Sequence, residues 1–146
     1  MNVTAAESEP DSITTAPGDP DPKGKLAIRT LAMPADTNPS GDIFGGWLLS
    51  QMDIAGGITA EWRARGRVVT VAVQGMEFHR PVWVGDVLCV YADVQKVGRT
   101  SITLLIEAYV LRRRDQTHRV KVTEGIFTFV AIDENGNPRP VPPEDG

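Results

Sequence analysis

The stretch Asp36-Thr-Asn-Pro-Ser-Gly-Asp-Ile-Phe-Gly-Gly-Trp-Leu-Leu-Ser-Gln-Met-Asp53 decides how this chain is read. It opens as a loop of Pro, Asn, Ser, Gly and Asp, residues that favour turns, and passes through Gly45-Gly46 into an apolar run. Trp47, Leu48, Met52, Ala55, Ile58 and Trp62 recur at three- and four-residue steps, the period of a helix face. The spacing predicts a helix that starts near residues 43–46, with Asp42 as its N-cap, and runs to about Arg65, with Gly66 just past the last turn. Leu49 and Ile54 widen the apolar surface, so this helix should be largely buried. Gly56-Gly57 in its interior costs about 1 kcal/mol per residue relative to Ala. Such a pair serves either a tightly packed neighbour or a ligand that approaches the backbone.

Outward from the helix the chain reads as strand. Lys25 to Met33 is a short apolar segment stopped by Pro34. Val68 to Phe78 begins with an almost unbroken apolar run, which points to cover on both faces. Val87 to Val97 follows the turn Gly85-Asp86, and Gly98-Arg-Thr leads tightly into Ser101 to Leu111. Arg112 to Thr117 reads as a charged turn, and Arg119 to Ile132 as the last strand. One helix among consecutive strands predicts an α+β architecture, an antiparallel sheet curled around a central helix. A helix apolar most of the way round exceeds what one sheet face covers, so a second copy should complete its burial. Trp47 and Trp62 are expected in the core or in that interface. Residues 1–24, rich in Pro, Asp, Ser and Thr, are expected to be a disordered tail, residues 25–140 a single domain, and 141–146 a C-terminal tail.

Composition narrows the function. A chain of 146 residues with 41% hydrophobic and 23% charged side chains is long and apolar enough for one domain with a real core. A net charge of −4 argues against a nucleic-acid partner, although a local basic groove for a small anion stays open. Cys89 is the single cysteine and lies in a strand-like run, where it should be a small buried hydrophobe. There is neither a secretory leader pattern nor a run of about 18 apolar residues, so no membrane partner and a reducing, cytoplasmic setting are expected. His79 and His118 are far apart in sequence and near no cysteine cluster, so no metal and no cofactor are expected. The Gly-x-Ser-x-Gly elbow, the phosphate-binding loop and the dinucleotide fingerprint are all absent.

Asp53 is the unexplained residue, a carboxylate on a helix that is otherwise apolar. Burying its charge is expensive unless it is hydrogen-bonded. It is therefore either a structural aspartate, exposed or paired, or part of a lined site. Gly45-Gly46 at the helix start leaves backbone N–H groups open to an anionic oxygen. Those donors and a carboxylate base outline an acyl-transfer or hydrolysis site.

The quoted stretch, together with Gly66-Arg-Val-Val-Thr-Val-Ala-Val73, Pro81-Val-Trp-Val-Gly-Asp86, Gly98-Arg-Thr-Ser101 and Phe127-Thr-Phe-Val-Ala-Ile-Asp133, resembles the bacterial acyl-CoA thioesterases of the YciA type in the hotdog-fold superfamily. The resemblance spans roughly residues 25–140, and the Gly-Asp-Ile-Phe-Gly-Gly-Trp and Gln-Met-Asp blocks together make it specific. It implies dimers with a continuous sheet, often assembled into hexamers as trimers of dimers, that hydrolyse acyl-CoA to free acid and CoA. It implies Asp53 as general base or nucleophile, Asn38 contributed by the other subunit, Thr70 as a supporting strand hydroxyl, and Gly46 as an N–H donor to the thioester carbonyl. In that frame Arg80 either pairs with a CoA phosphate or is a structural turn cation. Gly98, Arg99, Thr100 and Ser101 either meet the CoA nucleotide or form a plain hairpin turn. Arg112-Arg-Arg114 reads as a solvated turn. Two alternatives stay beside the thioesterase: a non-catalytic acyl-CoA sensor, which would need an output segment, and a hotdog dehydratase, which would need a histidine in the loop–helix stretch.

Overall fold

The computed structural model describes residues 13–144. Its elements in chain order are β1 (Thr14–Thr15), β2 (Lys25–Leu31), a short 3-10 turn (Pro34–Asp36), α1 (Gly45–Ala64), β3 (Val68–Phe78), β4 (Val87–Val97), β5 (Ser101–Arg112) and β6 (Asp115–Ala131). The long strands form one antiparallel sheet with β6, β5, β4 and β2 as successive neighbours, and β3 pairs with the other side of β6. The sheet wraps α1 as the alternation of apolar residues requires. Ile102, Leu104, Ile106, Ala108 and Val110 of β5 and Phe127, Phe129 and Ala131 of β6 fall at every second position and form the concave core with α1.

The helix meets this core through small residues. Its buried positions are Leu48, Met52, Ala55, Gly56, Ala60 and Ala64, and a stripe of Ala and Gly lets the backbone lie close to the sheet. A Cβ built on Gly56 would stand 2.8 Å from Cε1 of Phe129 and 3.3 Å from Cδ1 of Ile106. The glycine pair is thus explained at Gly56 by packing, while Gly57 meets the same ring only at 3.9 Å.

Several boundaries differ from the sequence reading, each for a local reason. The N-cap is Phe44, without a side-chain cap bond, rather than Asp42, whose backbone carbonyl accepts the Asn38 N–H at 2.7 Å. The left-handed residue that ends α1 is Arg65 (φ 54°), not Gly66. Gly66 instead leaves room for the Arg139 guanidinium, which donates to the Ala64 carbonyl at 2.9 Å and caps the helix end. The β5–β6 connection is a two-residue turn, Arg113-Arg114, because Arg112 and Asp115 already pair across the hairpin. Arg112 is engaged by buried Asp86 at 2.6 Å. The expected double cover of β3 is missing within one chain, since Val69, Val71 and Val73 are exposed on an edge strand.

Residues 1–12 of the expected tail lie outside the described residues. Residues 13–24 lie along the convex face of the sheet, because that face offers them partners. Thr14–Thr15 pairs in parallel with His118–Arg119, and Ile13 joins an apolar cluster of Leu26, Cys89, Tyr91, Tyr109 and Leu111. Buried Glu107 accepts the Lys23 N–H at 2.9 Å and the Lys121 ammonium at 2.8 Å. Asp19 bonds Arg80 at 2.8 Å and the Lys121 N–H at 3.1 Å. Burial alone would raise the Asp19 pKa, but these bonds and charges hold its carboxyl below the usual value. The C-terminal residues also fold back, with the Val141 N–H donating to Arg99 at 2.8 Å and Arg63 donating to Pro142 at 2.5 Å.

Gly56→Ala sets a helix-propensity gain of about 1 kcal/mol against an overpacking loss of roughly 1–3 kcal/mol. The ring it meets belongs to a residue only 2% exposed and cannot swing away. We expect a net loss of up to about 2 kcal/mol, read as a lower midpoint in urea unfolding; a variant as stable as the parent would show that the helix can lift from the sheet freely.

Candidate active site

The first half of α1 and the start of β3 build one groove together. Gly46, Leu49, Ser50 and Asp53 line it from the helix, Thr70 and Val73 from β3, and Phe127 from β6. Leu49 and Ser50 lie four and three residues before Asp53, on the same side of the helix. Thr70 and Val73 would point to opposite faces of a regular strand. The register shift between Thr70 and Ala72, where the partner positions advance only from Phe129 to Thr128, restores a common face. A second shift between Gln74 and Glu77 contains Gly75 at φ 74°, the left-handed conformation that such a bulge assigns to glycine.

Asp53 is half-buried, and the Thr70 hydroxyl donates to its Oδ1 at 2.6 Å. The other carboxylate oxygen, Oδ2, makes no hydrogen bond among the described residues and can accept one from water. Asp53 is thus a carboxylate held by one oxygen and open at the other. Gly46 stands on the same groove, and nothing within 4 Å would meet a Cβ there. Since Phe44 supplies no side-chain cap, the N–H groups of the first helical turn stay available to an acceptor.

Asn38 lies in the preceding loop and does not line this groove. Its Oδ1 accepts backbone N–H groups from Ser40 at 2.9 Å and Asp42 at 3.1 Å, which identifies that atom as the oxygen. The amide nitrogen is left facing no partner among the described residues.

The residues expected to hold CoA are apart from the groove within one chain. Arg80 donates through Nη1 to Asp19 at 2.8 Å and to the Lys121 carbonyl at 2.7 Å. Gly98 to Ser101 form the β4–β5 hairpin, closed by the Gly98 N–H to the Ser101 carbonyl at 2.8 Å. A Cβ on Gly98 would come within 2.7 Å of the Ser101 hydroxyl oxygen, so the glycine serves the turn. Arg99 projects from that turn with an exposed side chain. Leu49, Ser50, Val73 and Phe127 were missing from the sequence-based site. Helix spacing from Asp53 could have found the first two, whereas the bulge and the sheet pairing that bring in the others left no local signal. Among the described residues no cluster of His, Cys, Asp or Glu is arranged to hold a metal ion.

The Thr70 hydroxyl is bonded to Asp53, so whatever that bond contributes should be restored by another hydroxyl in its place. Thr70→Val is expected to lower kcat by roughly tenfold, of the order of one lost charge-assisted hydrogen bond, and Thr70→Ser to restore most of it. An equal loss in both variants would mean that the hydroxyl is not what matters.

The family model of the thioesterase superfamily matches residues 40–122. The chain is 58% identical to the acyl-CoA thioester hydrolase YciA of Salmonella typhimurium over 83% of its own length and 92% of that protein's. Among solved structures it resembles a hexameric thioesterase from Yersinia pestis, with TM-score 0.80 and 57% identity over 84% of this chain and 99% of the other. It also resembles HI0827, a hexameric broad specificity acyl-coenzyme A thioesterase, with TM-score 0.85 and 50% identity over 90% of each chain. A five-strand antiparallel wrap around one long helix, this groove, and likeness along most of both chains agree: the chain belongs to the thioesterase superfamily, among the hotdog-fold acyl-CoA thioester hydrolases of the YciA type.

Proposed function

We propose that the protein hydrolyses acyl-CoA thioesters to a carboxylic acid and CoA, with Asp53 as the reacting carboxylate. The observation that carries the site is the Thr70–Asp53 pair beside an uncapped helix start. The Thr70 hydroxyl bond holds the Asp53 carboxylate in one orientation. The free Oδ2 then takes a proton from water that attacks the thioester carbon, or itself attacks to form an anhydride that water opens. Negative charge grows on the carbonyl oxygen, and the N–H groups at Gly46 meet it. One such donor is typically worth roughly 100- to 1,000-fold in rate. CoA leaves as a thiolate, which needs no strong general acid. No cofactor takes part in this scheme, and a cytoplasmic setting fits it. Two relatives were also solved as aspartate-to-alanine variants, which fits an aspartate at the centre of the family's chemistry.

Asn38 is proposed to act from the partner subunit. Its oxygen is engaged within its own loop, so it would offer the amide N–H groups to a neighbour's water or thioester. The exposed Leu49, Ile54, Ile58 and Trp62 of α1 and the open edge of β3 favour a dimer in which β3 pairs with its copy. Assembly of three such dimers matches the hexamers of the relatives. For the CoA portion, exposed Arg99 of the 98–101 hairpin is the proposed phosphate partner.

Thiol release from an acyl-CoA series tests the activity. Asp53→Asn should lose most of kcat while the assembly persists; near-normal turnover would remove Asp53 from the mechanism. Inactive Asn38→Ala and Asp53→Asn chains, reassembled together, should regain part of the activity, and dead heterodimers would argue against a shared site. Arg99→Ala should raise KM for acyl-CoA severalfold and leave KM for the matching pantetheine thioester unchanged, whereas unchanged KM for both would clear the hairpin of contact with CoA.

A further inference from the structure

Arg112 opens a run of three arginines, but unlike Arg113 and Arg114 it is not left to solvent. Its Nη1 donates to Asp86 Oδ2 at 2.6 Å and to the Pro81 carbonyl at 3.0 Å, and its guanidinium lies 4.4 Å from the centre of the Trp83 ring. No step of the proposed reaction touches these groups. We infer that Arg112 is a positioning residue for that reaction: through Asp86 and the 81–86 turn it sets where the first turn of α1, and with it the Gly46 N–H, stands. The inference rests on the thioesterase reading above, in which that N–H meets the thioester carbonyl.

Two backbone bonds fix the residues that lead into α1. The Ile43 N–H donates to the Val82 carbonyl at 3.2 Å, and the Phe44 N–H to the Asp36 carbonyl at 3.1 Å. Both acceptors trace back to Asp86. Val82 lies between Pro81, whose carbonyl Arg112 holds, and Trp83, whose N–H donates to Asp86 Oδ2 at 2.9 Å. Asp36 belongs to the short turn after β2. At the end of β2, the Ala32 N–H donates to the Asp86 carbonyl at 2.9 Å, and the Ala32 carbonyl accepts the Gly85 N–H at 2.9 Å. Phe44 brings no side-chain cap bond of its own, so the entry into the helix depends on these outside anchors. The loop that carries Asn38 closes on the same anchor, since Thr37 pairs with Ile43. One ion pair thus stands behind the carbonyl donors of its own chain and behind the Asn38 that serves the partner.

The pair is built to hold still. Asp86 is 2% exposed, and a carboxylate so buried requires its cation. The same Oδ2 accepts from Arg112 and from the Trp83 N–H, while the Asp86 N–H donates to the Trp83 carbonyl at 3.0 Å, so the acid and the turn lock each other. The flat guanidinium is confined in addition by the Trp83 ring. Without Arg112 the 81–86 turn loses the tie to Pro81, and Val82 beside it is free to drift. A drift of about 1 Å at a reacting group can cost on the order of a hundredfold in rate. Substrate held by contacts elsewhere is bound as before, so the loss belongs in kcat and not in KM.

The test joins thiol release from acyl-CoA with hydrogen exchange read by mass spectrometry, both on the full chain well below its melting temperature. Arg112→Met should lower kcat by roughly 10- to 100-fold and leave KM within about threefold. Exchange should quicken in the segment 36–48, across the Asn38 loop and the helix start, and stay unchanged in the β5 core at 102–110. A folded variant that assembles like the unaltered protein and keeps kcat within twofold overturns the inference, as does faster exchange in the core and the helix start alike. Should Arg112→Met fail to fold, Trp83→Leu decides, because that ring is 49% exposed and its loss leaves the ion pair in place. It should lower kcat by about threefold, the equivalent of one exposed cation–π contact, with faster exchange in the same segment; no change in either measurement overturns the inference. If the unaltered protein turns over no acyl-CoA, the thioesterase reading fails and takes the catalytic role of Arg112 with it. Exchange at 36–48 then still shows whether the pair holds the helix start, which keeps the two failures apart.

Discussion

The closeness of α1 to the sheet is the constraint on which the rest depends. Large residues on both surfaces would hold the helix away, as a typical interaxial packing does. Here Ala55, Gly56, Ala60 and Ala64 present almost no side chain, and Phe129 and Ile106 rise from the sheet to fill the space. The sheet can then curl around the helix, and the strands nearest its ends, β2 and β3, approach it from either side. This approach brings Thr70 of β3 within hydrogen-bond reach of Asp53 at 2.6 Å. A helix lifted by even one methyl group would loosen that bond, so packing on one side of α1 positions chemistry on the other.

A single chain covers only part of this helix. Leu49, Ile54, Ile58 and Trp62 remain exposed, and the adjoining edge of β3 carries Val69, Val71 and Val73 in the open. The same uncovered region borders the Asp53 groove, through Leu49 and Val73. The surface that calls for hydrophobic burial and the groove of Asp53 thus share an edge. A partner that covers the belt would therefore border the groove as well.

The convex face is stabilised differently. Glu107 is 1% exposed, and Lys121 sits beside it. An unpaired charge there would be costly, but the pair is fitted with further partners from the N-terminal segment. Burial alone would lower the Lys121 pKa, yet its bonds to Glu107 and Glu124 raise it, so the ammonium stays charged. Burial and the nearby Glu107 charge likewise push the Tyr109 phenol up, keeping it a neutral donor to the Pro20 carbonyl at 2.6 Å. These polar ties explain why a segment poor in apolar residues still lies against the sheet.

Periodicity was enough to read the helix, the strands β3 and β4 to the residue, and the alternation that makes one face of the sheet a core, because each follows from spacing along the chain alone. The Pro-Asn-Ser-Gly-Asp loop and the isolated Asp53 were visible for the same reason, and the family resemblance supplied their roles. Composition misread residues 13–24, since it counts apolar side chains and cannot see that Glu107, Arg80 and Tyr109 wait elsewhere in the chain as hydrogen-bond partners. Spacing also could not place the left-handed turn at Arg65, which depends on a guanidinium arriving from Arg139, or the helix cap at Phe44, where the loop's own hydrogen bonds draw Asp42 away. The sequence by itself determined which residues could carry chemistry and which elements they ride on. Only the tertiary structure decided that Asp53 meets Thr70, that Val73 shares their groove and that Arg80 bonds Asp19, because those contacts are set by sheet register, a bulge and the depth of helix packing, none of which is local in the chain.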